Sequence, residues 1–286
     1  MKTKHIVLPT DFSANAENAI DYALSLFEKI ACRFHILNAF QVSPSGLEST
    51  RSKAKDTRLF RAIKGESERS IHRLISDLKT KNENPLHTFE SHCVADSLVN
   101  AIGRIAVEKN IRYIVMGTKG SSAVKEVFLG SSTINVLQKI DFCPIIAVPS
   151  NYVFNIPDKI AFATNFEHTY SKAELIPLTD LARLWDSKIT IVHAEQGKEL
   201  LAHQKTAKKL LSEKLHALPY TFVEVNGHAK ISEAIMAYTT EHENIGMITM
   251  INYWHSFFEK LTKENVIKRV AFYTEVPFLI FPLIVP

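Results

Sequence analysis

The sequence predicts an α/β protein of two tandem domains, each a five-stranded parallel open sheet of order 3-2-1-4-5 with helices on both faces. Three observations carry this reading. Short apolar runs alternate with amphipathic helical stretches, and parallel neighbours need such crossover connections. The whole pattern recurs after residue 158, which marks an internal duplication. Polar elements leave the ends of the first and fourth runs, where an open sheet of this order sends neighbouring connections to opposite faces. The expected domains are 1–150 and 151–286, each large enough to bury its own core.

In the first half, Ile6-Val7-Leu8 is a buried-strand signal that Pro9-Thr10-Asp11-Phe12-Ser13 ends with turn and capping residues. Ala16, Ala19, Ile20, Ala23, Leu24 and Phe27 then recur at helical spacing. Phe34 to Phe40 reads as a second strand, left through the loop Ser43-Pro44-Ser45-Gly46. From about Lys53 to Lys81 a charged stretch carries the apolar stripe of one long amphipathic helix, most simply a solvated surface, which Asn82 to Pro85 stops. Leu86 to Val94 alternates with polar residues and suits a sheet edge. Asp96 is placed to cap the helix containing Leu98, Ile102, Ile105 and Ala106. Ile111 to Met116 is the fourth strand, Ile134 to Ile140 a fourth helix, and Cys143 to Pro149 the fifth strand.

The second half restates the strands in order. Lys159 to Phe166 repeats the first, Ile189 to Ala194 the second and Phe222 to Val225 the third; Ile245 to Met250 repeats the fourth and Val276 to Pro282 the fifth, with the join near Ser150 to Pro157. Its second helix, near Lys198 to His216, lacks the extra charged length of the first copy.

Composition excludes several classes. A net charge of +4, spread without a dense basic block, does not suit a nucleic-acid surface. The N-terminus lacks a signal-peptide core, and no apolar stretch approaches a bilayer span, so a cytoplasmic protein without membrane contact is expected. Cys32, Cys93 and Cys143 are far apart and read as reduced, buried thiols.

The stretch Met116 to Thr133 carries the most chemistry. Gly117 and Gly120 follow the fourth strand, and Gly130 precedes Ser131, Ser132 and Thr133. A strand opening into a glycine-bearing loop and then a helix offers backbone N–H groups and a dipole to an anion. The second copy has no glycine from Ile251 to Glu264, and Asn165 replaces Asp11. The fold therefore does not require these glycines, which favours a ligand as the reason for them.

The spacing Gly117-x2-Gly120-x9-Gly130-Ser131, with Leu8-Pro9-Thr10-Asp11-Phe12 and Ile114-Val115-Met116-Gly117-Thr118, closely resembles the universal stress protein family. The resemblance covers nearly the whole chain as a tandem pair, strongly over residues 1–150 and weakly after them. It implies an adenine nucleotide alpha hydrolase-like fold and ATP, with or without Mg, in the first copy alone. Pro9, Thr10, Asp11 and Ala39 would surround adenosine, Met116, Gly117, Lys119 and Gly120 would line the loop, and Gly130, Ser131, Ser132 and Thr133 would hold phosphate. It also implies a nucleotide-free second domain acting as an intramolecular pseudo-dimer partner, with Ile145 to Val148 and Phe278 to Phe281 paired within the chain. A homodimer of whole chains is not readable from the sequence.

Bland readings stand beside these. The glycine stretch also reads as a strand-to-helix turn, Asp11 as a helix cap, Lys119 as a solvated loop lysine, and Ser131 and Ser132 as plain N-caps. His92, His193, His228, His242 and His255 show no metal-ligand spacing and read as satisfied or exposed. Tyr253, Trp254, Phe257 and Phe258 read as packing in the space of a lost nucleotide site. Three functions follow: an ATP-binding regulator of the stress response acting on an unknown protein partner, a weak ATPase, or a nucleotide-free dimerising scaffold. Phosphoryl transfer needs a placed metal and nucleophile. Asp11 is the one obvious site carboxylate, so slow hydrolysis is the most activity expected and no catalytic residue is assigned.

Overall fold

A computed structural model describes residues 3–41, 58–118, 130–195, 197, 199–227, 230–252 and 265–284. The first half contributes β1 (Lys4–Pro9), α1 (Ala14–Leu26), β2 (Cys32–Phe40), α2 (Arg58–Lys81), β3 (His87–Ala95), α3 (Leu98–Glu108), β4 (Tyr113–Gly117), α4 (Ser131–Lys139) and β5 (Ile145–Val148). The second contributes β6 (Lys159–Ala163), α5 (Lys172–Trp185), β7 (Lys188–Glu195), α6 (Ala202–Leu215), β8 (Tyr220–Asn226), α7 (Ile231–Glu241), β9 (Ile245–Asn252), α8 (Val266–Tyr273) and β10 (Phe278–Pro282). The strands form one sheet of order β3-β2-β1-β4-β5-β10-β9-β6-β7-β8, which contains the expected order twice.

All strand pairs are parallel except the seam, where β10 meets β5 antiparallel with Phe278 opposite Ala147, Leu279 opposite Ile146 and Ile280 opposite Ile145. All six residues are buried. A lone five-stranded half would present an apolar edge strand to solvent, so the two halves cover each other's liability. Antiparallel pairing of equivalent strands is what a two-fold relation between similar halves produces. The intramolecular pairing anticipated from the sequence is therefore present.

Side chains alternate across the sheet, as the strand period requires. Ile6 and Leu8 enter one core with α1, α2, α5 and α6, while Val7 enters the other with α3, α4, α7 and α8. Both cores run through the seam without a break. The connecting segment 149–158 belongs to the packing as well. Tyr152 and Phe154 set their rings 5.8 and 5.7 Å from Tyr22, and Phe154 lies 5.3 Å from Trp185. The Trp185 Nε1 donates to the Leu26 carbonyl at 2.9 Å, Tyr113 Oη donates to the Pro177 carbonyl, and Lys4 pairs with Asp180 at 2.7 Å. Apolar burial and the Trp185, Tyr113 and Lys4 bonds act together to hold the two halves at the seam.

Several local expectations shift. The polar third strand is at the sheet edge, as its alternation predicted. Asp96 is not the cap of α3: the Ser97 hydroxyl accepts from the Asn100 N–H, and Asp96 stands one residue outside, accepting from Ser97 N, Asn100 Nδ2 and Arg104. Those bonds, Asn100's foremost, hold its carboxyl below the usual range. Helix α2 runs from Arg58, and the part of the expected helix before it lies outside the described residues. Gly246 in β9 has a packing reason the sequence did not show, since a Cβ there would stand 2.6 Å from Pro157 Cα. No helix among the described residues is long and apolar enough to cross a membrane.

Candidate functional site

The helices that follow β1 and β4 go to opposite faces of the sheet, α1 to one core and α4 to the other. Because β1 and β4 are neighbours, their carboxyl ends open a crevice at the point where the winding reverses. The described residues singled out in the sequence lie at the ends of β1, β2 and β4 and at the start of α4.

The β1 wall is a tightly bonded turn. The Thr10 N–H donates to the Leu37 carbonyl at 2.8 Å, and the Thr10 hydroxyl accepts from the Phe12 N–H at 2.9 Å. That bond accompanies a left-handed backbone at Phe12, φ 61°. Asp11 is exposed, and its Oδ1 accepts from the Ser13 N–H and hydroxyl at 3.1 and 2.6 Å. Ser13, rather than Asp11, caps α1 through a bond from the Ala16 N–H. Pro9 and Thr10 are buried, and Ala39 sits half-buried at the end of neighbouring β2.

Two residues the sequence reading passed over hold this turn. Asn38 Nδ2 donates to the Thr10 carbonyl at 2.7 Å, and the Ser67 hydroxyl of α2 donates to Asn38 Oδ1 at 2.7 Å. All three side chains are buried. An asparagine at the end of an apolar strand run was the available signal, because a buried amide needs partners.

The β4 wall is formed where the chain leaves the sheet and returns. Thr118 N–H donates to the Val148 carbonyl, Gly130 N–H donates to the Thr118 carbonyl at 2.7 Å, and the Thr133 hydroxyl donates to the Gly117 carbonyl at 2.9 Å. The departure at Gly117-Thr118 and the re-entry at Gly130 are thus fastened together. Met116, Gly117 and Thr133 are buried, while Ser131 and Ser132 are exposed in the first turn of α4. Gly130 is the N-cap, with φ −71° and ψ 148° and no side-chain cap bond. That conformation is open to any residue, and Ser, Asp or Asn would cap better than glycine by roughly a few tenths of a kcal/mol. The backbone therefore does not explain the glycine. Lys119 and Gly120 lie outside the described residues.

The second half supplies the contrast. Thr164, Asn165 and Phe166 rebuild the β1 turn, with Phe166 at φ 58°, its N–H bonded to Thr164 Oγ1 at 3.0 Å, and Asn165 Oδ1 accepting from Glu167 N–H. The strained turn thus belongs to the fold, and Asp11 adds charge to it rather than shape. Here, however, α6 covers the turn: Gln204 Nε2 donates to the Asn165 carbonyl and to Glu167, and Lys208 lies over Phe166 and Phe222. The adjoining pocket of about 430 Å³ presents Glu195, Glu199 and Glu224 against Lys205. Among the described residues Lys205 pairs with Glu199 and Lys208 with Glu224, which leaves these lysines engaged by carboxylates rather than open to a polyphosphate. The aromatic run Tyr253 to Phe258 lies outside the described residues.

Elsewhere, burial pushes the Cys32 and Cys143 thiols up to about 12, and all three cysteines are free. None of this favours a thiolate nucleophile. His193 Nδ1 meets the Thr164 carbonyl and His242 Nδ1 the Tyr238 carbonyl; His228 and His255 lie outside the described residues. His92 meets His35, which burial lowers to about 4, and burial lowers His92 as well.

The fold defines a class: a duplicated, doubly wound α/β protein with a switch point at the carboxyl ends of β1 and β4 in its first half. The model of the universal stress protein family matches residues 2–149, and the chain belongs to that family. It is 26% identical over 147 residues to a universal stress protein of Methanocaldococcus jannaschii, covering 48% of this chain and 89% of that one. A universal stress protein from Archaeoglobus fulgidus superposes with TM-score 0.72 at 17% identity, covering 97% of this chain and 96% of that chain. A structure from Pseudomonas aeruginosa, described as functionally unknown, superposes at 0.60 with 11% identity, covering 98% and 92%. These two likenesses show that the tandem fold is shared over the full length.

Proposed function

We propose that the chain is an ATP-binding regulatory protein of the stress response, with one nucleotide site in domain 1–150 and a non-binding partner domain in 151–286. The observation that carries this reading is the β4 wall: Gly117 and Gly130 are fastened together beside an α4 N-terminus whose cap bears no side chain. A helix start of that kind offers N–H donors and a positive dipole end to phosphate. Ser131 and Ser132 add exposed hydroxyls, and Asp11, Thr10, Pro9 and Ala39 form the adenosine side of the crevice. Thr133 contributes by bracing α4 to β4, because its proton is committed to the Gly117 carbonyl. Met116 supports the floor, and Lys119 and Gly120 would complete the loop, with any Mg ion accompanying the phosphates.

The α6 cover and the carboxylates of the second half support a single site. The assigned groups bind and orient, and none is assigned a catalytic step. Gly130→Val tests the reading. Its backbone angles accept valine, so the fold should survive while Mg-ATP binding is lost. Unchanged affinity would show the cradle assignment to be wrong, and a wild-type chain that neither carries nor binds nucleotide would favour the scaffold reading.

A further inference from the structure

On β1, β2 and β3, three imidazoles form a slanting row across the sheet. His5 Nδ1 lies 2.9 Å from His35 Nε2, and His35 Nδ1 lies 2.9 Å from His92 Nε2. The parallel register explains the row. His35 pairs with Glu90 and Leu37 with His92, so Glu90 and His92, two apart on β3, share a face with His35 on β2. Glu90 turns its carboxylate to both rings, with Oε2 3.7 Å from His35 Nδ1 and Oε1 3.5 Å from His92 Nε2.

We propose that His35 Nδ1, His92 Nε2 and Glu90 bind a divalent transition metal of the zinc class, independently of the nucleotide crevice. The two ring nitrogens are 2.9 Å apart, Glu90 offers Oε2 to His35 and Oε1 to His92 at 3.7 and 3.5 Å, and one ligand atom from each residue lies within 4.8 Å of the others. Metal–ligand bonds of about 2.0–2.1 Å at tetrahedral angles require edges of about 3.3 Å, so the ring nitrogens part slightly and the partly exposed Glu90 carboxylate turns toward them to seat the ion. Two neutral imidazoles and one carboxylate form a donor set suited to Zn²⁺ and its neighbours rather than to Mg²⁺ or Ca²⁺.

The surroundings supply what such a site needs. His35 is fully buried and its far nitrogen meets His5, which fixes the ring as an outer partner of a metal-bound imidazole does. His92 is only partly exposed and Glu90 more so, which leaves a fourth position toward solvent. Binding requires no redox step and no net loss of protons from the neutral imidazoles. With His92 Nε2–H donating to His35 Nδ1, that proton moves to His92 Nδ1; with His35 Nδ1–H donating, it moves to His35 Nε2 while His5 shifts its proton from Nδ1 to Nε2. Lys109, 3.2 Å from Glu90, is the resident competing cation, and Glu108 at 3.4 Å is its alternative partner. A bound ion would clip edge strand β3 to β2 and stabilise that end of the sheet.

The test uses the full chain, stripped with chelator and titrated with Zn²⁺ by calorimetry and with Co²⁺ by visible absorption. One tight equivalent, an intense tetrahedral Co²⁺ spectrum and a rise in Tm are expected. His92→Gln and Glu90→Gln should each weaken binding by at least about tenfold. Lys109→Ala should strengthen it severalfold, a gain that loss of structure would not produce. Mg-ATP binding should be the same in all three variants, so failure here leaves the nucleotide reading intact. Absence of a tight equivalent in the wild-type chain, or Zn²⁺ affinity unchanged in both His92→Gln and Glu90→Gln, would overturn the proposal.

Discussion

Thr133→Val separates a brace from a ligand. Valine matches threonine in shape, so the substitution removes the hydroxyl from a residue only 2% exposed and little else. That hydroxyl donates to the Gly117 carbonyl at 2.9 Å. Loss of a buried hydrogen bond that leaves a carbonyl without this partner costs about 1–3 kcal/mol. At this chain size each kcal/mol corresponds to roughly 2–4 °C, so Tm should fall by about 2–12 °C. The assay is thermal unfolding of the nucleotide-free chain followed by circular dichroism, with Thr133→Ser as the control that keeps the hydroxyl. Mg-ATP affinity should fall by less than about tenfold, because only the seating of α4 has changed. A variant with unchanged Tm but strongly reduced ATP affinity would refute the reasoning and return Thr133 to direct phosphate contact.

Two further substitutions test the frame. Gly246→Ala forces a methyl against Pro157 backbone at 2.6 Å and should destabilise by about 1–3 kcal/mol in urea unfolding, and a neutral result would mean that 149–158 is not packed as described. Glu174 is 3% exposed, and burial alone would raise its pKa; bonds from Ser171 and the Ile284 N–H, with His168 nearby, outweigh that and lower it. A lowered folded pKa contributes stability that is present above the unfolded value of 4.5 and is lost as pH falls through the folded value. Glu174→Gln should therefore be less stable at pH 7 and should lose less further stability below about pH 4.5. A wild-type acid slope retained in the variant would remove Glu174 from that role.

Much of this was legible because short-range rules decided it. Alternating apolar runs placed the strands, and the family resemblance together with the repeat implied the pairing of Ile145–Val148 with Phe278–Phe281. The walls were visible as Thr10-Asp11 and Gly130-Ser131 since each is a local turn or helix start. What stayed hidden depends on residues brought together by register. Asn38 and Ser67 meet across 29 positions to hold Thr10. His35 gains its neighbours from β1 and β3, so no spacing rule along the chain could mark it. Asp11 was misread as a possible cap for a similar reason: Ser13 and Asp11 compete for one helix start, and geometry alone decides between them.

The central claim is one adenine nucleotide site per chain, and it is a matter of counting. Equilibrium dialysis of the full chain against Mg-ATP, with co-purified nucleotide measured by absorbance and mass after denaturation, gives the total bound. The account predicts one equivalent, lost in Gly130→Val. No bound nucleotide, or two equivalents per chain, would contradict it.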